Sequence, residues 1–352
     1  MRRIVVRAPN WLGDIVMAMP AIAAVRAAHP DAHLAVAAPA PFVDVCAAVP
    51  GVDATVPLRG GGIRAIGAHA EALNAGGFEL AILFTNSFAS ALAASRAGIP
   101  ERWGYERDWR GRLLTRAVPV RITTTPESSA TPESPADAPP VSSRHHSAYY
   151  LRLVQRLGMP AVEAAALLVP PAAAVDRAAA ILAEAGVGPG TRLVGFAPGA
   201  AYGSAKRWPP DRVAGAIAGL TGAGVRAVLV GAAGDREIAQ AILAALDPAT
   251  RETVVDLVGR TDVATLMAVL ARCAVVVAND SGAMHVASAV GRPVVAIFGP
   301  TDERATAPVG RHTLVRHDVW CRPCLLRACP IDHRCLRGIA AADVVDATSH
   351  LL

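Results

Sequence analysis

Arg3-Ile-Val-Val-Arg-Ala-Pro-Asn-Trp-Leu-Gly-Asp14 reads as a strand, a turn and the start of a helix. Arg3 to Arg7 carries the β-branched run of a buried strand, and Asp14 to Ala28 has the composition of a helix. A strand at His33 to Ala38, another at Leu80 to Phe84 and a helix at Phe88 to Ala97 continue the alternation. Repeated βα units imply a parallel sheet. The alternation restarts at Leu193 to Ala197 and runs through the strands Ala227 to Gly231, Val254 to Val258, Val275 to Ala278 and Val294 to Phe298. Helices are predicted between them at Asp211 to Leu220, Asp235 to Leu246, Val263 to Arg272 and Gly282 to Val290. The fold class is therefore α/β, with two Rossmann-like, doubly wound domains facing across a cleft.

The remaining segments set the boundaries. Ile122 to Ser143, almost entirely Pro, Ser, Thr and Glu with little to bury, reads as a mobile surface loop, and a helix resumes from about His146 to Leu157. Pro160 to Ala174 reads as the linker, which places an N-terminal Rossmann-like domain at 1–170 and a C-terminal one at 171–340. A last helix at 341–352 is expected to pack back toward the N-terminal half.

With 352 residues and 53% hydrophobic content there is material for two cores, which excludes a disordered or fibrous chain. Mean hydropathy is +0.37, but no charge-free apolar run reaches the length of a spanning helix, about 20 residues. The N-terminus lacks a signal-peptide core, so a cytoplasmic address is expected. A net charge of +5 favours anionic partners. Aromatic residues make up only 4% and the basic residues are scattered, so nucleic acid is not among the expected partners. Of the 34 basic residues, Lys206 alone is a lysine. In a chain that otherwise uses arginine, it marks a place where a compact ammonium serves and a planar guanidinium does not.

Three segments at strand ends carry the chemistry. In the first, Gly13 is expected to allow a tight turn and Asp14 sits at a helix start, where exposed amides favour its ionised form. Spacing leaves it two roles, an N-cap or a general base on a hydroxyl. The second is Ala197-Pro-Gly-Ala-Ala-Tyr-Gly-Ser-Ala-Lys-Arg-Trp-Pro209. Its small residues, Gly199 among them, allow close backbone approach, and Lys206 with Arg207 offers positive charge to a departing pyrophosphate. The third is Val276-Val-Ala-Asn-Asp-Ser-Gly-Ala-Met-His285. Ser281 and Gly282 present amides to an anion, Asp280 can bond sugar hydroxyls, and His285 lies a turn later. Asp280 as an N-cap and His285 as a core residue are the alternative reading. Neither the dinucleotide fingerprint nor a Walker A loop is present.

Together with NSFASAL at 86–92 and AGIPERWGY at 97–105, these segments resemble glycosyltransferase family 9, the lipopolysaccharide heptosyltransferases of GT-B architecture. The combination of PNWLGD with the KRWP loop resembles the members that add the second heptose. The resemblance implies inverting transfer of L-glycero-D-manno-heptose from ADP-heptose to the first heptose of a lipid A-linked inner core. It implies Asp14 as the base, Lys206 as the group that neutralises the diphosphate, and no cofactor requirement. Gly13, Gly199, Lys206, Arg207, Gly231, Asp280, Ser281, Gly282 and His285 would hold the donor. Asn86, Ser87, Arg102, Arg107 and Arg110 would hold the acceptor, and the arginines of the run 102–116 would also meet an anionic inner-membrane surface at its cytoplasmic side. The loop at 122–143 departs from the family pattern. Cys321-x2-Cys324-x4-Cys329-x5-Cys335 has the density of a tetrahedral zinc site, with reduced structural thiols as the alternative, while Cys46 and Cys273 read as buried single residues. A first-heptose transferase, a nucleotide-sugar epimerase and a non-catalytic glycolipid-binding protein are the competing functions.

Overall fold

The computed structural model describes residues 1–120, 144–160, 166–221 and 224–352. The expected loop at 122–143 lies outside them. The chain divides into two compact units, Met1–Ala164 and Ala165–Leu352.

In the first unit the order is β1 (Arg3–Arg7), α1 (Leu12–Ala28), β2 (His33–Pro39), α2 (Val43–Ala47), β3 (Ala54–Leu58), α3 (Ile66–Asn74), β4 (Leu80–Leu83), α4 (Phe88–Arg96), β5 (Glu101–Glu106), β6 (Arg116–Pro119) and α5 (His146–Arg156). All strand pairs are parallel, in the order β3-β2-β1-β4-β5-β6. β1 and β4 are buried nearly throughout because helices cover both faces, which is why they read as unbroken apolar runs. β1 lies between β2 and β4, so the loops leaving β1 and β4 turn to opposite faces and open a crevice at the strands' carboxyl ends. Both PNWLGD and the start of NSFASAL fall there.

The second unit runs α6 (Ala172–Glu184), β7 (Leu193–Ala197), α7 (Pro210–Thr221), β8 (Arg226–Leu229), α8 (Arg236–Ala245), α9 (Pro248–Thr253), β9 (Val255–Asp256), α10 (Val263–Arg272), β10 (Val275–Asn279), α11 (Gly282–Ala289), β11 (Val294–Phe298), α12 (Glu303–Thr306), β12 (His312–Arg316), α13 (Arg334–Arg337) and α14 (Ala341–Leu351). Its parallel sheet, β12-β11-β10-β7-β8-β9, repeats the topology of the first, with the switch point between β7 and β10. The Lys206 loop and the Asn279–Gly282 turn leave those two strands side by side.

The last helix puts Val344, Ala347 and Leu351 into the core of the second unit, with Trp208, Ile217, Leu336 and Ile339. It packs on α7, where Gly215 and Gly219 leave room for Ala341 and Val345. Leu336 is fully buried beneath Gly299, where an added Cβ would lie 2.7 Å from its Cγ. Replacing Leu336 by alanine is expected to cost about 2–5 kcal/mol of stability, measured by urea denaturation. A loss below about 1 kcal/mol would mean that this contact does not order the region.

Candidate active site

The second unit's site is built on two consecutive residues at the end of β10. Asn279 is buried, its Nδ2 donates to the Pro198 carbonyl at 2.7 Å, and its Oδ1 accepts the Trp208 N–H at 3.2 Å. One carboxamide thus ties down both ends of the loop from 198 to 208. Trp208 anchors the far end, 1% exposed, with its indole N–H donating to the Ile339 carbonyl at 3.3 Å. Between these ties, Lys206 Nζ donates to Asp280 Oδ2 at 2.6 Å, and the two side chains are only 11% and 4% exposed. Thr301 Oγ1 donates to the same oxygen at 2.7 Å, and the Tyr202 ring centroid lies 4.7 Å from the ammonium. The single lysine is therefore held in a largely dry socket by a carboxylate and an aromatic face.

Asp280 is not the helix cap. Ser281 is the N-cap of α11, and its Oγ is buried without a hydrogen-bond partner among the described residues. Gly282 begins the helix and His285 is buried one turn on. The first-turn amides together with this hydroxyl can receive an anion. Gly199 and Gly231 close on a residue that the motifs did not bring out, Asp235. A Cβ at Gly199 would lie 2.3 Å from the Asp235 carboxyl carbon, and one at Gly231 would lie 3.1 Å from its Oδ2. Asp235 Oδ2 accepts the Ala232 N–H at 3.0 Å, and its Oδ1 stands 3.8 Å from Arg207 Nη2. Glycines at the ends of neighbouring strands, followed by an acid before a helix, were the available signal. Arg207 and Trp208 also border a cavity of about 570 Å³ that includes neither Lys206 nor Asp280.

In the first unit, Asp14 stands in the first turn of α1. The N-cap is Trp11, which makes no side-chain cap bond, and this removes the capping role from Asp14. Gly13 is already helical and is not among the positive-φ glycines, so the turn belongs to residues 8–11 and not to Gly13. Buried Arg7 steadies that turn by donating from Nη2 to Asn10 Oδ1 at 2.7 Å and from Nη1 to the Ala8 carbonyl. Asp14 Oδ1 lies 3.6 Å from Nδ1 of His146, a residue that the sequence did not mark. At the neighbouring strand end, Asn86 Nδ2 donates to the Tyr149 hydroxyl at 2.7 Å, leaving its buried Oδ1 without a partner among the described residues. Ser87 is occupied as the N-cap of α4, accepting the Ser90 N–H at 3.3 Å.

The arginines divide by burial. Arg110, expected on the acceptor, is fully buried; it donates from Nε to the Tyr105 carbonyl at 2.9 Å and from Nη1 to the Thr85 carbonyl. Gly104 makes room for it, and burial lowers its guanidinium to about 10, so it stays charged at neutral pH. Arg102 is likewise spent on the carbonyls of Leu113, Ile99 and Pro100. Both brace the β4–β5–β6 edge of the sheet, Arg110 from full burial and Arg102 half-buried. Arg107, with 57% of its side chain exposed, is the one of the three that faces solvent.

The family model for glycosyltransferase family 9 (heptosyltransferase) matches residues 66–334. The chain belongs to glycosyltransferase family 9. Lipopolysaccharide heptosyltransferase 2 of Salmonella typhimurium is 31% identical over 323 residues, which cover 89% of this chain and 87% of that protein. The protein of the same name from Escherichia coli is 31% identical over 322 residues, with the same shares covered. Among solved structures, E. coli ADP-heptose lps heptosyltransferase II superposes with a TM-score of 0.79 at 27% identity, covering 100% of this chain and 98% of that one. The paired α/β sheets of this glycosyltransferase are thus those of the GT-B heptosyltransferases.

The cysteine segment of this family 9 enzyme serves the Lys206 loop. Tyr202 donates its hydroxyl to the Leu325 carbonyl at 2.6 Å, and the Ala205 N–H donates to the Arg327 carbonyl at 3.0 Å. Arg322 binds the carbonyls of Gly299 and Thr301. All six thiols are free, and among the described residues no three His, Cys, Asp or Glu side chains converge to hold a metal ion. The arrangement therefore does not fit the expected tetrahedral zinc site. Burial pushes Cys46 and Cys273 up to about 12. At Cys329, desolvation is outweighed by the amides of Ile331, His333 and Asp332, which lower it, whereas desolvation raises Cys335.

Two measurements follow. Alkylation by iodoacetamide at neutral pH should label Cys329 before Cys335 and leave Cys46 and Cys273 unmodified in the folded enzyme, read by peptide mass spectrometry. Arg110→Ala should lower stability by about 2–4 kcal/mol, because two buried carbonyls lose their donor, while Arg107→Ala leaves the denaturation midpoint unchanged.

Proposed function

We propose that this glycosyltransferase moves an L-glycero-D-manno-heptosyl group from ADP-heptose to the first heptose of heptosyl-Kdo2-lipid A, with inversion at the anomeric carbon. The acceptor oxygen forms the new bond to that carbon as the bond to the β-phosphate oxygen breaks. Asp14 takes the hydroxyl proton, and ADP leaves carrying the electron pair. The observation that carries this reading is the buried Lys206–Asp280 pair at the switch point of the second sheet. A diphosphate entering this socket gives Lys206 a second anion, so its ammonium can follow the charge that grows on the leaving group. Ser281 Oγ and the amides of α11 add neutral donors. Gly199, Gly231, Arg207 and His285 line the donor, while Asn86, Ser87 and Arg107 are assigned to the acceptor. The names carried by the full-length relatives support the choice of donor and of second-heptose transfer.

No metal is needed in this mechanism, since Lys206 and the helix amides neutralise the leaving diphosphate; no step runs through the cysteine segment. Among the described residues no helix is long and apolar enough to cross a membrane. The enzyme is assigned to the cytoplasmic face of the inner membrane, where exposed Arg107 can meet anionic lipid. ADP release from ADP-heptose should require the acceptor and should fall by about 10²–10⁴-fold in Asp14→Ala while donor binding persists. Release that ignores the acceptor, or that survives loss of Asp14, would overturn the mechanism and favour the epimerase or lipid-binding reading.

A further inference from the structure

α5 packs along α1, and its first residue, His146, sets Nδ1 3.6 Å from Asp14 Oδ1. Two helices of 17 and 11 residues thereby bring their N-terminal turns to one carboxylate. One turn further along α5, the fourth residue after His146 is Tyr150, which is buried and stacks on Phe84 with ring centroids 5.6 Å apart. Its hydroxyl is pushed up by burial first and then by the charge of Asp14, which places that charge on this face of α5. His145, the N-cap of α5, accepts the Ser147 N–H on Nδ1 at 3.1 Å and so fixes the start of the helix from which His146 projects. The His146 side chain is 50% exposed and that of Asp14 27%, so the pair is accessible from solvent.

We propose that His146 is a positioning residue for Asp14: its Nδ1–H donates to Oδ1 and turns Oδ2 toward the acceptor hydroxyl. A free carboxylate rotates about its Cβ–Cγ bond, and a donor fixed to one oxygen removes that freedom before substrate arrives. At 3.6 Å the contact is slightly longer than a hydrogen bond, and a small side-chain rotation closes it, as commonly happens when catalytic pairs tighten around substrate. In transfer the proton passes from the acceptor hydroxyl to Asp14 Oδ2 and no proton moves to His146. This role rests on the reading of Asp14 as the base.

The test compares His146→Ala, His146→Asn and Asp14→Asn in the full chain, by steady-state ADP release with saturating acceptor and by thermal unfolding. In His146→Ala kcat should fall about 10–100-fold with donor KM unchanged. His146→Asn, whose amide offers an N–H close to the position of Nδ1, should return to within about threefold of wild type. The double variant Asp14→Asn/His146→Ala should be no slower than Asp14→Asn alone. A His146→Ala enzyme at the wild-type rate, or a folded His146→Asn enzyme as slow as His146→Ala, overturns the proposal while leaving Asp14 as base. An active Asp14→Asn enzyme instead overturns the reading on which the proposal rests.

Discussion

The side-chain amide of Asn279 ties both ends of the Lys206 loop to the second unit's sheet. Asn279 ends β10 and ties Pro198 to Trp208, so eleven residues of irregular backbone are fixed at both ends to the sheet. Asp280, the next residue, then meets the only lysine inside that closed loop. On its other side the loop is held by the carbonyls of Leu325 and Arg327, which accept from the Tyr202 hydroxyl and the Ala205 N–H. The cysteine segment is thus structural support for the lysine.

The electrostatics of that socket explain the residue choice. An ion pair this dry costs desolvation that its own attraction roughly offsets, so it contributes little net stability. What it does provide is a preorganised cation that need not be assembled when substrate enters. A guanidinium is broad and planar, and the site between Asp280, Thr301 and the Tyr202 ring suits a compact ammonium. In the first unit the same economy holds in reverse. Asp14 stands in the first turn of α1, where the first residue of α5, His146, approaches its carboxylate.

Both halves of the fold were legible in the sequence wherever strands are buried on two faces. β1, β4, β7, β10 and β11 are continuous apolar runs, and the helices after them follow from periodicity. β5 and β6 were not seen as strands, since Glu-Arg-Trp-Gly-Tyr-Glu and Arg-Ala-Val-Pro carry charge into the sheet's edge. Their arginines read as ligand groups when Arg102 and Arg110 in fact satisfy carbonyls, a distinction that depends on burial and not on residue type. The Lys206 loop and the Asn279–Gly282 turn were both read as strand-end segments, and the pairing of β7 with β10 sets them side by side. Asp235 and His146 were missed, because each meets its site only through a contact from a distant segment, Gly199 for one and Asp14 for the other. The cysteine spacing suggested a metal that the thiol placement does not fit.

The central proposal is that Lys206, held by Asp280, takes the diphosphate of the donor as its second anion. Calorimetric titration of the full chain with ADP and with AMP, in wild type and Lys206→Met, tests it most directly. The account predicts that the variant loses at least about tenfold in ADP affinity while AMP affinity barely changes, so the preference for the diphosphate disappears. A folded Lys206→Met protein that still prefers ADP over AMP by the wild-type ratio would contradict it.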